Sequence, residues 1–493
     1  MSNQRINIVW FKRDLRLIDH QPLLRARESD LPTLLIYFYE PSVMSFADSD
    51  ERHWRFVQQS LTELNKTLAE WGHHIYTVHE EALAAFRKLT EVFDVKTISS
   101  HEEIGNNLTY ARDRSVATFC KEKNIVWKES PTNGVVRRLS NRKLFSQNWM
   151  RTMSSPLYSV DLKNLTSIHL PVDLLPSYTT LFQSNPQFQP GGPATANQYL
   201  LSFLYQRKSN YNKHISKPEE SRKSCSRLSP YLAWGNLSMK QVYQATLEAI
   251  SKTGDKRNLQ FFGNRLHWHC HFIQKFESEC RLEFENLNEG FNEIRNKADG
   301  NLVAAWEAGR TGYPLVDACI QCVKNTGYLN FRMRSLLVSF FTHHLWQPWQ
   351  AGAHFLARQF LDYEPGIHYP QFQMQAGTMG VNTIRIYNPV KQSMDHDPQG
   401  AFIKKWIPIL SPVPANHIHQ PWKMTELEQQ LYQVKIGSDY PYPLVSISET
   451  ARHAREKLWQ TKKSKEVQKE NRRILKLHTN RKTEKEKTLQ LEL

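Results

Sequence analysis

Charged residues recur inside the apolar helical runs between residues 306 and 389, and no other feature constrains the fold as strongly. Arg332, Arg334, Asp362 and Glu364 stand in segments that are otherwise mostly apolar or aromatic. An unpaired charge inside a helical bundle is very costly, so these side chains must pair with one another or with a bound ligand. The pattern therefore predicts a helical domain that holds a large polar cofactor.

The first 132 residues alternate between short apolar strands and amphipathic helices. The predicted strands, in chain order, are Ile6–Phe11, Thr33–Tyr39, Ile75–Val78, Val95–Ser99 and Ile125–Trp127. This alternation is typical of a doubly wound parallel sheet, so we predict an α/β domain over residues 1–132. No G-x-G-x-x-G motif follows the first strand, and the sequence therefore gives little support to NAD binding.

The rest of the chain divides into three further parts. Repeated prolines mark residues 133–195 as an interdomain connector. Apolar residues then return at helical spacing, which predicts an all-α domain over residues 196–430. Residues 431–493 form a basic extension, and the charged composition beyond Thr461 predicts an exposed helix or a disordered arm.

The formal charge of +16 favours a polyanionic partner, because Lys and Arg side chains neutralise phosphates and release counterions. Residues 461–493 hold 11 Lys or Arg and 5 Glu, so they contribute +6 and the remainder carries +10. Solubility alone is an alternative explanation of this charge. The sequence has no apolar run of about 18 residues and no signal-peptide core, so we expect a cytoplasmic, monomeric protein with no membrane segment.

The spacing of cysteines and histidines does not predict a metal site. The six cysteines are scattered, and Cys319 and Cys322 form a C-x-x-C pair on a predicted helix without a second pair. His267, His269 and His271 alternate along another predicted helix, where this spacing spreads them over different faces. We interpret both groups as packed or surface residues.

Several segments resemble the flavin-binding region of the photolyase and cryptochrome family in their order, spacing and many residues. They are Trp306–Ala318, Thr326–Arg334, Asp362–His368, Gln371–Thr378 and Arg385–Pro389. Cys225–Ser238 is similar to the segment that holds phosphate in this family, and Trp10–Arg16 is similar to its amino end. The resemblance spans residues 5–412 and implies that the helical domain binds FAD.

The resemblance also implies a set of cofactor-binding residues. They are Tyr211, Cys225, Ser226, Arg227, Leu228, Ser229, Arg334, Asp362, Tyr363, Glu364 and His368. Arg334 and Asp362 would form a salt bridge beneath the isoalloxazine ring, with Glu364 near its polar edge and the adenine-ribose. Hydroxyls and backbone N–H groups at residues 224–229 precede a predicted helix, and a helix amino end favours a pyrophosphate.

By the same resemblance, His368 stands opposite the flavin N5, where DNA-repairing members usually have Asn. An imidazole can donate or accept a proton near neutral pH, so we expect His368 to influence flavin protonation. A packed core histidine is the alternative.

The electron-transfer residues depart from the family's chain of three tryptophans. Trp349 matches the middle tryptophan, but Phe372 stands at the flavin-proximal position and no Trp occurs near Asn296. Phenylalanine is a poor carrier of an electron hole, so we expect photoreduction to be slow or to use another route. The candidates for that route are Trp346, Trp268, Tyr363 and Tyr369.

The expected substrate pocket also departs from the family pattern. Trp268 matches the tryptophan that stacks on a flipped pyrimidine dimer, and we expect Trp268, His368 and Trp349 to be the catalytic residues. The expected DNA-binding residues are Arg265, Trp268, Phe331, Arg332, Met374 and Arg385. Arg265, Phe331 and Met374 replace a carboxylate, an Asn and a second Trp. The pocket matches neither the cyclobutane-dimer nor the (6-4) specificity.

An antenna chromophore, of folate or deazaflavin type, often lies in the α/β domain of relatives. Glu102, Glu103, Gly105 and Asn106 form the loop where we expect such a ligand. The charged run at residues 12–16 follows the first strand, and we interpret these residues as a hub of salt bridges between the two domains.

The sequence leaves three functions open. The first is a flavin-dependent DNA photolyase, supported by the basic charge, Trp268, Arg332 and Arg385. The second is a blue-light photoreceptor of cryptochrome type, in which the carboxyl tail meets a signalling partner, supported by His368 and Phe372. The third is a light-independent flavoprotein or nucleic-acid binder.

Overall fold

The computed structural model describes residues 3–478, and its first domain is built on a five-stranded sheet. The strands are β1 (Gln4–Phe11), β2 (Thr33–Phe38), β3 (Ile75–Val78), β4 (Phe93–His101) and β5 (Val126–Ser130). They pair in the order β3-β2-β1-β4-β5, and every pair is parallel. The predicted doubly wound α/β domain is therefore confirmed. All of β2 and most of β1 are buried, as in parallel sheets covered on both faces.

The helices of this domain cover the sheet on both sides, and one more helix follows in the connector. They are α1 (Gln21–Arg27), α2 (Pro41–Met44), α3 (Glu51–Ala69), α4 (Ala82–Val92), α5 (Asn107–Glu122) and, in the connector, α6 (Phe145–Ser154). α3 begins at the capping box of Asp50 and buries Phe56, Val57 and Leu61 at helical spacing against the sheet.

The rest of the described chain is helical, as predicted. Its helices are α7 (Pro193–Ser202), α8 (Tyr211–His214), α9 (Ser221–Ser224), α10 (Ser229–Ala233), α11 (Met239–Thr253), α12 (Lys256–Ser278), α13 (Gly300–Ala308), α14 (Pro314–Thr326), α15 (Phe331–Ser339), α16 (Trp349–Gln359), α17 (Pro365–Ala376), α18 (Pro389–His396), α19 (Ala401–Trp406), α20 (Ala415–Ile418), α21 (Glu426–Leu431), α22 (Ile447–Lys462) and α23 (Lys465–His478).

The charged run after β1 connects the two domains, but through hydrogen bonds to carbonyl groups rather than through the expected salt bridges. The Arg13 guanidinium donates to the Tyr363 carbonyl at 2.9 Å, and the Arg16 guanidinium donates to the Gly235 carbonyl at 3.2 Å. Gly235 has φ of +72°, and a Cβ there would lie 2.3 Å from the Arg13 carbonyl oxygen, so only glycine allows this approach. The hub holds the carboxyl end of β1 against the segment that opens the cofactor site.

The helices beyond residue 446 differ from the expected exposed helix or disordered arm. α23 buries Val467, Ile474 and His478 against the helical domain, and Asn471 accepts a hydrogen bond from Asn288 at 3.0 Å. The expectation is therefore wrong for residues 465–478, because one face of this charged helix is apolar and docked. Its extension over residues 479–493 lies outside the described residues.

Among residues 3–478, none of the helices combines the length and the apolar character that crossing a lipid bilayer requires.

Candidate cofactor site

A cavity lies between α15, α16 and α17. Its lining residues are Arg334, Ser335, Val338, Leu356, Phe360, Asp362, Tyr363, Glu364, Ile367, His368, Gln371, Phe372 and Gln375. α15 begins where the Asn330 side chain accepts a hydrogen bond from the Met333 N–H. α17 packs closely on α12, since a Cβ on Gly366 would lie 2.9 Å from the Ile273 Cα. Three of the predicted charged residues, Arg334, Asp362 and Glu364, therefore converge on one cavity, and Arg332 lies outside it.

Arg334 and Asp362 form an ion pair in the wall of this cavity. Nη2 of Arg334 lies 2.8 Å and 3.0 Å from the two carboxylate oxygens of Asp362, and its Nε donates to the Leu329 carbonyl at 2.9 Å. Burial alone would raise the pKa of Asp362, but Arg334 and the Ser229 hydroxyl outweigh burial and lower it. The carboxylate is thus held ionised and fixed in direction. That this pair lies beneath a flavin ring stays a prediction.

Arg227 is a buried cation whose charge no carboxylate balances among the described residues. Its φ is 61°, its guanidinium lies 3.7 Å from the centre of the Tyr328 ring, and its Nε has no hydrogen-bond partner. Its Nη2 donates a hydrogen bond to Gln189 Oε1 at 2.6 Å, and this amide oxygen is a neutral acceptor. A strained backbone that holds an unsatisfied buried guanidinium fits an anionic ligand group such as a pyrophosphate.

Arg207 supports the phosphate-holding segment, and the sequence reasoning missed it. Its guanidinium donates to the carbonyl groups of Lys223, Cys225 and Ser226. These contacts span 16 to 19 residues, so no local pattern could indicate them. α10 has only five residues, and such a short helix adds little dipole. The expected helix-terminus contribution is therefore minor, and arginine side chains supply the positive charge.

The side chains of three predicted cofactor-binding residues are buried in the apolar core. They are Tyr211, Cys225 and Leu228. The Tyr211 ring lies 5.3 Å from the Phe203 ring, and burial raises the pKa of the Cys225 thiol to about 12. Ser226 is half-buried at the same segment. Direct contact of these residues with a cofactor stays a prediction.

Glu364 offers an unsatisfied acceptor in the cavity. One carboxylate oxygen lies 3.1 Å from Nε2 of His269, while Oε1 is buried without a partner. A buried oxygen of this kind fits the hydroxyl groups of a ribose. The sequence reasoning interpreted His269 as a packed or surface residue, and it did not predict this contact with Glu364. Glu364 thus gives the cavity a free acceptor, whereas Arg227 does not line the cavity and supplies a free donor in the neighbouring phosphate-holding segment.

His368 lies in the cavity wall, but its expected titration near neutral pH is wrong. Its Nε2 lies 2.9 Å from the Ala353 carbonyl, so Nε2 carries the proton. Burial lowers the pKa of His368 to about 3, because the charged ring would lose its hydration. The ring is therefore neutral at physiological pH, and Nδ1 is a hydrogen-bond acceptor for a ligand N–H.

The aromatic residues behind the cavity form a broken tryptophan chain. The Phe372 ring lies 5.1 Å from His368 and 6.4 Å from Trp349. Trp349 is buried, and its Nε1 donates to the Asn286 side chain at 2.8 Å. Trp346 packs under Arg295, and its ring is outside the cavity wall. Phe372 thus stands between the cavity and Trp349.

The expected DNA-binding residues do not form one closed pocket. Trp268 is 52% exposed on α12, and the Arg265 guanidinium, one helical turn away, lies 5.9 Å from the Phe331 ring. Arg332 donates to the Tyr387 hydroxyl at 2.9 Å. Met374 packs against the helical core, and Arg385 is exposed between α17 and α18. The half-exposed surface around Trp268 is called the α12 face below.

A second cavity lies between the domains and is called the interdomain pocket. Glu103, Gly105 and Asn106 line it together with aromatic residues from both domains. Glu102 does not line it and lies 3.9 Å from the Arg137 guanidinium, so its part in holding a chromophore stays a prediction. The aromatic lining residues are Trp10, Phe11, Tyr37, Phe38, Trp54, Trp234 and Tyr363.

Asp14, His20 and His101 form a buried group in the α/β domain whose spacing suits a metal ion. Nδ1 of His20 accepts a hydrogen bond from the Leu23 N–H at 3.1 Å, so its Nε2 carries the proton and faces Asp14. His101 Nδ1 lies 2.6 Å from the same carboxylate oxygen. These hydrogen bonds favour a carboxylate between two imidazole N–H groups over a metal centre.

Comparison with known proteins identifies both domains. Residues 7–143 match the family model described as DNA photolyase, and residues 261–460 match the FAD binding domain of DNA photolyase. A deoxyribodipyrimidine photo-lyase of Alkalihalophilus pseudofirmus is 28% identical over 92% of this chain and 98% of its own. A cryptochrome DASH of Synechocystis is 26% identical over 92% and 97%.

Solved structures share the fold along almost the whole chain. The crystal structure of a Synechocystis cryptochrome has a TM-score of 0.83 at 24% identity, covering 92% of this chain and 99% of its own. The unsatisfied Arg227 and Glu364 atoms fit the cofactor that the matched domain is named for. The chain therefore belongs to the photolyase and cryptochrome family and binds FAD through its helical domain.

Proposed function

We propose that this protein is a light-driven DNA photolyase that restores pyrimidine photoproducts formed by ultraviolet light. The observation that carries the proposal is the half-exposed Trp268 on the α12 face, one helical turn from the exposed Arg265. A half-exposed indole offers a flat face on which an unstacked base can stack. The similarity to a photo-lyase over nearly its whole length supports the same activity.

The α12 face is suited to hold a damaged strand. Arg265 and Arg385 are exposed guanidinium groups that can contact backbone phosphates, and the basic body adds long-range attraction. Trp268 would stack on a base rotated out of the helix, where pairing is already weakened by the lesion. When bound, photoexcited reduced FAD supplies the electron that splits the photoproduct. Arg334 and Asp362 orient the cofactor, and the neutral His368 accepts a hydrogen bond from it.

The test uses chemically reduced protein, irradiated single- and double-stranded DNA, and blue light. Loss of either photoproduct supports the proposal. Trp268→Ala should weaken binding of the lesion by about 1–3 kcal/mol, the value of one base on one aromatic ring. Trp459→Ala is the matched control, because Trp459 is 48% exposed on α22, away from the α12 face. Equal loss of binding in both variants would contradict the assigned role of Trp268.

A photoreceptor is the second candidate, and the docked carboxyl-terminal helices favour it. The Trp346 ring lies 4.8 Å from the His453 ring of α22, and His344 Nδ1 lies 2.9 Å from the Thr450 hydroxyl. These contacts join α22 to the segment that follows α15. Absence of lesion repair, combined with a light-dependent change in proteolysis of α22 and α23, would support this candidate.

The interdomain pocket is the proposed antenna site. Its aromatic walls suit a flat heterocycle, and Lys12 and Glu103 place polar groups at its edge. Folate and deazaflavin both fit this description. Absorption and fluorescence of the purified protein, before and after addition of each chromophore, would distinguish them.

A further inference from the structure

Tyr363 is shared by the two cavities. This residue lines the cavity between α15, α16 and α17, which is called the FAD cavity below, and it also lines the interdomain pocket. Only 3% of its surface is exposed. Its ring lies 5.3 Å from the His368 ring, at an angle of 81°. The Tyr363 ring is therefore packed against a side chain that lines the FAD cavity.

The Tyr363 hydroxyl has a proton acceptor from the other domain. It donates to Oδ2 of Asp48 at 2.5 Å, a contact between residues 315 positions apart. Asp48 is buried, and its Oδ2 also accepts from the Asn106 amide at 3.0 Å. A short hydrogen bond from a phenol to a carboxylate is the geometry needed for proton transfer.

The surroundings of this pair disfavour oxidation of the phenol unless the proton leaves. The Arg13 guanidinium lies 6.0 Å from the centre of the Tyr363 ring, so a phenol radical cation would face a positive charge. Glu283 lies nearby with one buried carboxylate oxygen unpartnered, and burial raises its pKa to about 7. The cluster therefore holds acidic oxygen atoms that can store a proton.

The alternative path through tryptophan lacks these features. Phe372 stands between the cavity and Trp349, and benzene rings are hard to oxidise. The Trp349 N–H donates to the Asn286 amide oxygen, which is not a base at neutral pH. Among the described residues that line the cavity, Tyr363 is the oxidisable ring, and it is hydrogen-bonded to a carboxylate.

We propose that Tyr363 is the electron donor that photoreduces FAD, with Asp48 as its proton acceptor. This proposal rests on FAD occupying the helical-domain cavity. On illumination, the Tyr363 phenol would give one electron to bound oxidised FAD while its O–H bond breaks and an O–H bond forms on Asp48 Oδ2. Tyr363 is left as a neutral phenoxyl radical. A thiol in solution then returns a hydrogen atom to Tyr363, and the proton on Asp48 passes to water.

The test follows the bleaching of oxidised flavin by blue light in the full-length holoprotein, without oxygen and with a thiol present. Tyr363→Phe keeps the ring and removes the transferable proton, whereas Asp48→Asn keeps an acceptor that is a far weaker base. Each should lower the photoreduction rate about tenfold or more. Tyr440→Phe is the matched control, because Tyr440 donates to Asp317 at the same 2.5 Å but lines neither cavity. Its rate should equal that of the wild type.

Two further measurements separate this role from a structural one. Flavin content is determined for each variant first, so that lost cofactor is not mistaken for lost electron transfer. Illumination should give the electron paramagnetic resonance signal of a tyrosyl radical in the wild type and in Tyr440→Phe, and none in Tyr363→Phe. A wild-type rate in either Tyr363→Phe or Asp48→Asn overturns the proposal, as does a tyrosyl signal that survives Tyr363→Phe.

The proposed photolyase activity is tested independently of this pair. Repair by chemically reduced wild-type protein needs no photoreduction, so its failure would count against the photolyase and leave the role of Tyr363 intact. If Tyr363→Phe does not fold, Asp48→Asn still decides the matter.

Discussion

The two cavities differ in how the protein balances their buried charges. At the interdomain pocket, Arg112 pairs with Glu40 at 2.6 Å, with Asp113 at 2.8 Å and with Glu103, while Lys12 pairs with Asp113 at 2.9 Å. In the helical domain, Arg227 lies outside the lining of the FAD cavity, and its charge meets only neutral groups. One oxygen of Glu364 meets nothing.

This difference distinguishes a charge network that stabilises a fold from one that awaits a ligand. A buried pair that is already satisfied gains little from a charged guest, whereas an unsatisfied buried cation gains its missing partner on binding. The interdomain pocket should therefore hold its ligand mainly through an aromatic body, and FAD binding should depend on an anionic group of the ligand.

Breaking the ion pair in the FAD cavity should have the largest effect. Arg334→Ala leaves the buried Asp362 carboxylate without its partner, which costs about 3–5 kcal/mol and should abolish retention of FAD. The measurement is flavin absorbance after gel filtration. The double variant Arg334→Ala with Asp362→Ala is the control, since it should recover stability without recovering flavin. A yellow, fully loaded Arg334→Ala protein would contradict the assigned pair.

Arg112→Met tests the satisfied network in the same way. It leaves Glu40, Glu103 and Asp113 with too little positive charge, so the free energy of unfolding should fall by about 3–5 kcal/mol. Retention of FAD by the folded fraction should be unchanged, because the helical-domain cavity is untouched. Urea denaturation measures the free energy of unfolding, and flavin titration measures the affinity for FAD. A selective loss of FAD affinity would show that the two charge groups are not independent.

Arg227→Gly should raise stability and weaken FAD binding, whereas Arg112→Met should lower stability and leave FAD binding unchanged. Glycine relieves a left-handed backbone at φ of 61°, so the flavin-free protein should gain about 1 kcal/mol of stability. Loss of a charged hydrogen bond to the ligand should weaken FAD binding by about 1.5–3 kcal/mol. Arg138→Gly is matched, because exposed Arg138 has φ of 56° in the connector. It should gain similar stability with no change in FAD affinity.

The architecture could be predicted from the sequence because it depends on local periodicity. All five strands lie within a few residues of the apolar runs that predicted them, since a doubly covered parallel sheet needs continuous apolar strands. The docking of α23 was missed because its local periodicity is weak. Its buried apolar residues, Val467 and Ile474, are two helical turns apart, and most residues between them are charged or polar.

The chemistry of the site was less predictable because it arises from distant contacts. Residue types at the FAD cavity followed from the family resemblance, but the support of Arg207 and the pairing of Tyr363 with Asp48 depend on the folded chain. The predicted titration of His368 near neutral pH was wrong for a related reason. Sequence identifies an imidazole, whereas burial and the Ala353 carbonyl decide whether it can take a proton.

His368 gives the FAD cavity an acid sensitivity that can be isolated. Its pKa falls from an ordinary 6.5 to about 3 on folding, so below pH 6.5 the unfolded chain binds a proton that the folded chain refuses. The associated stability is present above pH 6.5 and is lost as pH falls. Between pH 7 and 5 the wild type should lose about 2 kcal/mol more than His368→Asn. Equal losses, measured by urea denaturation of the flavin-free proteins, would mean that His368 is charged when folded.

Phe372→Trp asks which of the two cavities supplies the electron to FAD. An indole at this position would lie between the FAD cavity and Trp349, whose ring is 6.4 Å from the present Phe372 ring, and would complete a path inside the helical domain. We expect photoreduction to rise about tenfold in the wild-type background. The larger ring can cost about 1–3 kcal/mol through overpacking, so thermal stability is measured alongside the rate.

The same substitution is most informative in the slow Tyr363→Phe background. There it should restore photoreduction, because the new tryptophan path needs neither the phenol nor Asp48. The restored signal should come from a tryptophan radical, with no tyrosyl component. If Phe372→Trp accelerates neither background, then Trp349 is isolated from solvent as well as from FAD, since Asn296 offers no onward ring, and the interdomain pair is the effective route. If it accelerates the wild type but fails to rescue Tyr363→Phe, the phenol is needed for more than its electron, and its contact with His368 becomes the next position to change.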